Sequence, residues 1–95
     1  MFIVSLTFSE NKAQAGQHMA GHNDWLQRGF ADGVFLLAGS LQPNRGGAVV
    51  AHNTTLDDLQ NRVDDDPFVS KNVVSAEITE LTPSRADDRL KFLLD

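Results

Sequence analysis

The sequence has no cysteine and no tyrosine, and it has only one tryptophan and three prolines among its 95 residues. Without cysteine the chain forms no disulfide, has no thiolate nucleophile and offers no thiolate ligands for zinc or iron–sulfur clusters. Basic residues are also few, because 8 lysines and arginines stand against 13 aspartates and glutamates, which gives a formal net charge of −5. Binding along phosphates requires a basic face, so this balance argues against a nucleic-acid partner.

Long apolar runs do not occur in the sequence either. No stretch approaches the ~20 residues of a membrane-spanning helix, and the N-terminal residues lack the basic segment of a secretory signal. We therefore expect a soluble, cytoplasmic protein with no membrane partner. A hydrophobic content of 41% in 95 residues supports one small domain. Such a domain buries only about 60–65% of its unfolded surface, which favours assembly into a homodimer or a higher homo-oligomer.

Hydrophobic periodicity predicts a strand and then a helix at the start of the chain. Residues 2–8 alternate between apolar and polar positions, as in a strand. Asn11 is suited to cap the helix that follows, and Asp32 and Gly33 are suited to stop it just after Phe30. The helix face expected to pack on the core consists of Ala15, Met19, His22, Leu26 and Phe30.

The next two strands are expected to form a hairpin. Residues 34–38 are an unbroken apolar run, typical of a strand that is buried on both faces or lies at a subunit interface. Gly39 and Ser40 are expected to end this strand. Turn-forming residues 41–47 then lead into a second strand at residues 48–52.

A second helix and a last strand complete the pattern. Thr55 begins a capping-box sequence, and Leu56, Leu59 and Val63 are expected to be the buried positions of this helix. The helix must end before Pro67, and residues 73–81 read as the last strand.

The order strand, helix, strand, strand, helix, strand predicts the split βαβ arrangement, an α+β fold with one antiparallel sheet and both helices on one face. The apolar residues of the first strands suggest that the uncovered sheet face is itself too apolar for solvent. We therefore expect two copies of the chain to pair through this face. Residues 1–83 are predicted to form the domain, and residues 84–95 are predicted to be a C-terminal tail with a short docking helix.

Two sets of polar residues lie where stability alone would not place them. His22 falls in the apolar face of the first helix, where it needs a hydrogen-bond partner. Either a structural hydrogen bond or an acid/base role fits it. Asp64, Asp65 and Asp66 crowd the negative end of the second helix, which costs up to about 1 kcal/mol each. Pro67 holds Asp66 outside the α region, whereas a solvated loop is the alternative for the other two aspartates.

Gly39 and Ser40 are small residues at the expected end of the second strand, so a ligand could approach the backbone closely there. A bend in the hairpin is the alternative interpretation. Ser40 has no adjacent base in the sequence, so a nucleophilic role is not supported. These two residues are therefore candidates for substrate binding only.

A metal site is the competing chemical interpretation. His18 and His22 are four residues apart on one helix, and Asp66 could act as a third ligand. The glutamate that follows the first histidine in zinc-protease helices is missing, and His18 lies off the apolar face. The sequence also has no glycine-rich phosphate loop, and His52 is expected to face solvent. We therefore predict no metal and no cofactor.

Four short segments, in their order and spacing, resemble the YCII-related family of YciI-like proteins. They are the opening residues 1–7, residues 22–33, residues 37–40 and residues 66–69. The resemblance implies a ferredoxin-like α+β dimer with a pocket between the first helix, the sheet and the partner subunit. Ser40 stands where the family often has proline, and the loop at residues 42–45 is particular to this chain.

The resemblance also implies a function for His22 and Asp66, which match the proposed acid/base pair of the family. One branch removes chloride from a chlorinated hydroxyhydroquinone during aromatic degradation. This predicts cofactor-independent acid/base catalysis on a small cyclic or phenolic substrate, by dehydrochlorination or isomerisation. The competing hypothesis is a dimeric module that binds a small molecule or a partner protein without chemistry, in which the same pair is structural.

Overall fold

The computed structural model describes residues 1–94 and contains one antiparallel sheet with helices packed on one of its faces. The strands are β1 (Phe2–Phe8), β2 (Phe35–Leu41), β3 (Gly46–Ala51) and β4 (Val74–Glu80). The helices are α1 (Ala15–Ala31), α2 (Leu56–Asp64) and α3 (Pro67–Ser70), with short 3₁₀ helices at Lys12–Gln14 and Asp88–Leu94. The strand order is β2-β3-β1-β4, which is the order of the ferredoxin-like topology. The predicted α+β fold is confirmed.

The core lies between the sheet and the helices because alternate residues of β1 point to that side. Phe2, Val4 and Leu6 are buried, whereas the residues between them are more exposed. Val4 pairs with Val49 of β3, so one apolar row crosses the two central strands. The core consists of Phe2, Val4, Leu6, Trp25, Val34, Phe35, Val49, Ala51, Leu59, Val63, Phe68, Val73 and Val74.

The buried face of α1 differs from the expected one. Trp25 and Gly29 are its buried residues, whereas Met19 and Phe30 are each 43% exposed. Gly29 is buried because the Phe35 ring packs against the bare helix backbone, where a Cβ would lie 2.1 Å from a ring carbon. The sequence pattern counts only apolar side chains and therefore ignores glycine. The predicted buried face of α1 is for this reason shifted by about one residue from the observed one.

The N-terminus of α1 also differs from the prediction. Asn11 makes no side-chain cap bond and precedes the 3₁₀ helix Lys12–Gln14, and the α-helix itself begins at Ala15. The predicted end near Phe30 is confirmed, because Gly33 adopts a φ of 75° just beyond Asp32.

Replacing Gly29 by alanine is expected to lower the free energy of unfolding by about 1–3 kcal/mol, because the new methyl group overpacks the contact with Phe35. Gly16 is the matched control on the same helix, since a Cβ there meets nothing within 4 Å. Gly16→Ala is expected to raise the same quantity by about 0.5–1 kcal/mol through helix propensity. Urea unfolding followed by the fluorescence of Trp25, the single tryptophan, measures both. Equal effects of the two substitutions would contradict the packing argument.

β2 is longer and more exposed than expected. It continues through Gly39 and Ser40, which pair with Ala48 and Gly47 of β3, and the irregularity of the strand lies instead between Phe35 and Leu37. β2 is an edge strand, and burial on both faces is wrong for the single chain because residues 37–40 are exposed. Leu37 is 58% exposed. The alternative, a subunit interface, stays a prediction.

The uncovered sheet face is less apolar than expected, because the large apolar residues of β1 point to the helices instead. β1 presents Ile3, Ser5 and Thr7 to this face, and Ser5 lies between Ala48 of β3 and Glu77 of β4. The large apolar residues of this face include one row across three strands, in which Val50 of β3 pairs with Ile3 of β1 and with Leu37 of β2.

α2 begins and ends as predicted. The Asp58 N–H donates to Thr55 Oγ1 at 3.1 Å, and the helix ends at Asp64. Leu59 and Val63 are buried as expected, but Leu56 is exposed. It occupies the first helical position, ahead of the turns that pack on the core.

The tail contains the 3₁₀ helix Asp88–Leu94. The ring of Phe92 lies 5.7 Å from that of His52 in an edge-on contact. His52 is therefore half-buried rather than on the solvent side as expected. No helix within residues 1–94 has the length and apolarity to cross a membrane.

Candidate functional site

The dipeptide Asp66–Pro67 positions the carboxylate of the site. Asp66 has extended backbone angles, with φ −65° and ψ 123°, and Pro67 is the first residue of α3. The Phe68 N–H donates to Asp66 Oδ1 at 3.0 Å. Asp66 is thus the N-cap of a helix that the sequence analysis missed, although an N-cap residue followed by proline is a known helix-start signal. Asp64 and Asp65 are exposed.

His22 and Asp66 form a hydrogen-bonded pair. His22 Nδ1 lies 2.9 Å from Asp66 Oδ1, the aspartate side chain is fully buried and the histidine side chain is 13% exposed. The pair joins α1 to the start of α3, across 44 residues of sequence. Gly21 permits this approach, since a Cβ there would lie 3.0 Å from Pro67 Cγ.

Aromatic packing fixes the orientation of the histidine ring. The Phe68 ring is stacked on it, with the centroids 4.1 Å apart and the planes 5° from parallel. The Trp25 ring lies further away, at 5.8 Å. Trp25 is itself held by its indole N–H, which donates to the Arg62 carbonyl at 2.7 Å. The imidazole therefore has little freedom to rotate away from Asp66.

The two carboxylate oxygens of Asp66 differ in their hydrogen bonding. Oδ1 accepts both from the Phe68 N–H and from His22. Oδ2 is buried and has no hydrogen-bond partner among residues 1–94. Buried acceptors without a partner are rare and costly. This cost is concentrated beside His22 rather than spread through the core, which is the pattern expected at a functional site.

A cavity of about 300 Å³ adjoins the pair, and His22 is part of its wall. Gly39 and Ser40 of β2 line the same cavity, so the structure brings these two candidates together with His22. Asp66 is not a lining residue. The other lining residues are Leu6, Phe8, Met19, Asn23, Leu26, Ala38, Gly46, Gly47, Ala48, Val49, Phe68 and Val74.

The other sequence candidates lie apart from this site. His18 makes no part of the cavity wall, and the described residues 1–94 contain no group of three histidine, aspartate or glutamate side chains that could hold a metal ion. The sequence analysis missed Phe68 and Asn23. Phe68 could have been found from the proline-capped helix start, whereas nothing in the sequence marks Asn23.

Comparisons with known proteins agree on the fold. A family model described as YCII-related domain matches residues 1–82. A similar solved structure is 5-chloro-2-hydroxyhydroquinone dehydrochlorinase (TftG) from Burkholderia phenoliruptrix AC1100 in complex with 2,5-dihydroxybenzoquinone, with a TM-score of 0.72 and 13% sequence identity. The match covers 84% of this chain and 91% of the other. No curated protein matches the chain.

Proposed function

The chain belongs to the YCII-related family, and we propose that it is a cofactor-independent acid/base enzyme acting on a small cyclic or phenolic substrate. The observation that carries the proposal is the hydrogen bond of 2.9 Å between His22 and the buried Asp66, at the wall of a cavity. A histidine oriented by a carboxylate is the usual arrangement of a general base.

Asp66 sets which nitrogen of His22 is available. A carboxylate only accepts hydrogen bonds, so Nδ1 carries the hydrogen of the neutral ring and Nε2 keeps its lone pair. Because His22 lines the cavity and its Nδ1 is bonded to Asp66, Nε2 is the atom that we assign to proton transfer with the substrate. Asp66 is a positioning residue in this scheme, and His22 is the catalytic residue.

Dehydrochlorination of a chlorinated hydroxyhydroquinone is a reaction that such a site could promote. One hydroxyl proton moves to the ring carbon that carries chlorine. A second hydroxyl proton is then removed, and chloride leaves with the electron pair of the C–Cl bond. The products are a hydroxybenzoquinone, chloride and a proton, so no external oxidant is required. His22 Nε2 would accept and return the protons. The similar structure of a dehydrochlorinase supports this reaction class.

The test is to incubate the purified protein with 5-chloro-2-hydroxyhydroquinone under nitrogen and to measure released chloride and quinone absorbance. Hydroxyhydroquinone without chlorine is the control substrate. We expect chloride release well above the rate in buffer alone. A rate equal to that in buffer would contradict dehydrochlorination by this protein.

A non-catalytic binding module is the second candidate function. The specific observation in its favour is that Asp66 already has a structural task, because its Oδ1 caps α3 by accepting from the Phe68 N–H. In that case the pair would only hold α1 against α3. Binding of the ring compound without chemistry, and without dependence on His22, would support this candidate.

We also propose that two copies of the chain pair through the uncovered sheet face. The exposed Leu37 and its partner Val50 lie on this face, and exposed apolar area is often covered by another chain. Light scattering after size exclusion is expected to give twice the chain mass of 10.4 kDa. Val50→Lys should return the mass to one chain, whereas Gln17→Lys on the exposed side of α1 should not.

A further inference from the structure

The cavity wall contains two polar side chains besides His22, and neither carries a charge. Asn23 and Ser40 are its polar lining residues besides His22, and none of the described residues that line it is lysine, arginine, aspartate or glutamate. Since Nδ1 of His22 is bonded to Asp66, the side-chain polar atoms left for a ligand are the ring Nε2, one amide and one hydroxyl. All of these groups can recognise a neutral partner.

These polar groups come from two different walls. His22 and Asn23 are consecutive residues of α1, whereas Ser40 belongs to β2 and pairs with Gly47 of β3. Asn23 and Ser40 are both exposed, so their polar atoms are accessible to a molecule in the cavity. The remaining lining side chains are apolar or absent. A ligand that satisfies both walls must therefore carry polar substituents on two sides of an apolar body.

Lys12, the first residue of the 3₁₀ helix Lys12–Gln14, contacts the lining residue Phe8 from outside the cavity wall. Lys12 Nζ lies over the Phe8 ring at 5.0 Å from its centroid and donates to the Asn44 carbonyl at 3.3 Å. Lys12 is not a lining residue, and the chain as a whole has a net charge of −5. A carboxylate on the ligand would thus meet no lysine or arginine side chain within the cavity wall.

We propose that Asn23 and Ser40 are specificity-determining residues, which select an uncharged ring with hydroxyl or keto groups on two sides. The same ring with a carboxylate is excluded. This inference deepens the proposed function and rests on it. The cavity volume fits such a ligand, because a cavity of about 150 Å³ holds benzene and this one measures about 300 Å³ with one side open.

Equilibrium binding of two probes tests the proposal. Hydroquinone and 2,5-dihydroxybenzoate share one ring and differ by a carboxylate. Calorimetric titration is expected to give a Kd about tenfold or more higher for the carboxylate, because this group loses hydration against an apolar wall that offers no lysine or arginine in return. Asn23→Leu and Ser40→Ala should each raise the Kd of hydroquinone about 3–10-fold, as expected for one lost hydrogen bond. Asn61→Leu, on α2 and outside this cavity, is the matched control and should change nothing.

Three results would overturn the inference: no measurable binding of hydroquinone, equal affinity for both probes, or a Kd that neither Asn23→Leu nor Ser40→Ala changes. The measurement needs no turnover, so it is separable from the proposed function. A further outcome is that the binding of hydroquinone depends on Asn23 and Ser40 while no chloride is released from the chlorinated substrate. In that case the specificity inference stands and the catalytic proposal fails.

Discussion

Replacing His22 by glutamine is expected to lower the rate of chloride release by about 10²–10⁴-fold, the usual loss when a general acid/base is removed. Glutamine can still donate a hydrogen bond to Asp66, so the contact between α1 and α3 is kept. It cannot accept and return a proton near neutral pH. The variant therefore removes proton transfer while it retains the geometry that holds the site together.

His18→Gln is the matched control, because His18 lies on the same helix one turn earlier and outside the cavity wall. Its turnover should equal that of the wild type. Circular dichroism and light scattering show whether each variant keeps its fold and assembly. Unchanged turnover in His22→Gln would contradict the catalytic role. Equal losses in both histidine variants would also contradict it, because His18 lies outside the cavity wall.

The sequence predicted the elements of the fold well because alternation and capping signals are local. β1 and β4 occur within one residue of their predicted ends, and Thr55 caps α2 as its sequence indicates. These features depend on neighbours two to four residues away. A single sequence therefore contains most of the information that they need.

The buried face of each helix and strand was harder to predict than the helix or strand itself. The burial of α1 depends on Gly29, whose missing side chain admits the Phe35 ring from another element. Similarly, the unbroken apolar run of β2 indicates burial, yet the topology places this strand at an edge. Tertiary packing determines which face of an element is buried, and hydrophobic periodicity contains no information about contacts with other elements.

The candidate site was predicted from two violations of local rules. His22 in an apolar face and Asp66 after the end of the second helix drew attention as unfavourable positions, and the structure places the two side chains 2.9 Å apart. Asp66 is in fact favourably placed for stability, because it is the N-cap of α3. Gly21, which lowers the helix propensity of α1, turns out to make room for Pro67 beside the pair. Asn23 could not have been predicted, because an exposed asparagine on a helix violates no rule.

Replacing Asp66 by asparagine is expected to lower turnover about 10²–10⁴-fold while the protein stays folded, because a neutral amide no longer stabilises the imidazolium that forms when His22 Nε2 accepts a proton. The amide oxygen can take the place of Oδ1, where it still accepts from the Phe68 N–H and from His22 Nδ1 and caps α3. The amide nitrogen then takes the place of Oδ2, which has no hydrogen-bond partner among residues 1–94. Nε2 of His22 keeps its lone pair in this variant but is a weaker base.

Replacing Asp66 by alanine should act mainly on stability. It removes the cap of α3 and leaves the Phe68 N–H and His22 Nδ1 without their partner, so the free energy of unfolding should fall by about 2–4 kcal/mol. Urea unfolding followed by Trp25 fluorescence measures this loss for both variants. The smaller change expected for Asp66→Asn makes its turnover interpretable, since the folded fraction stays high.

The two substitutions together separate a positioning role from a structural one. If Asp66 only caps α3, Asp66→Asn should retain wild-type turnover, because the cap survives. If Asp66 acts through His22, the double variant His22→Gln with Asp66→Asn should release chloride no more slowly than His22→Gln alone, since residues that act as a unit are not additive. Multiplied losses in the double variant would show that the two residues contribute independently, and would contradict the paired mechanism.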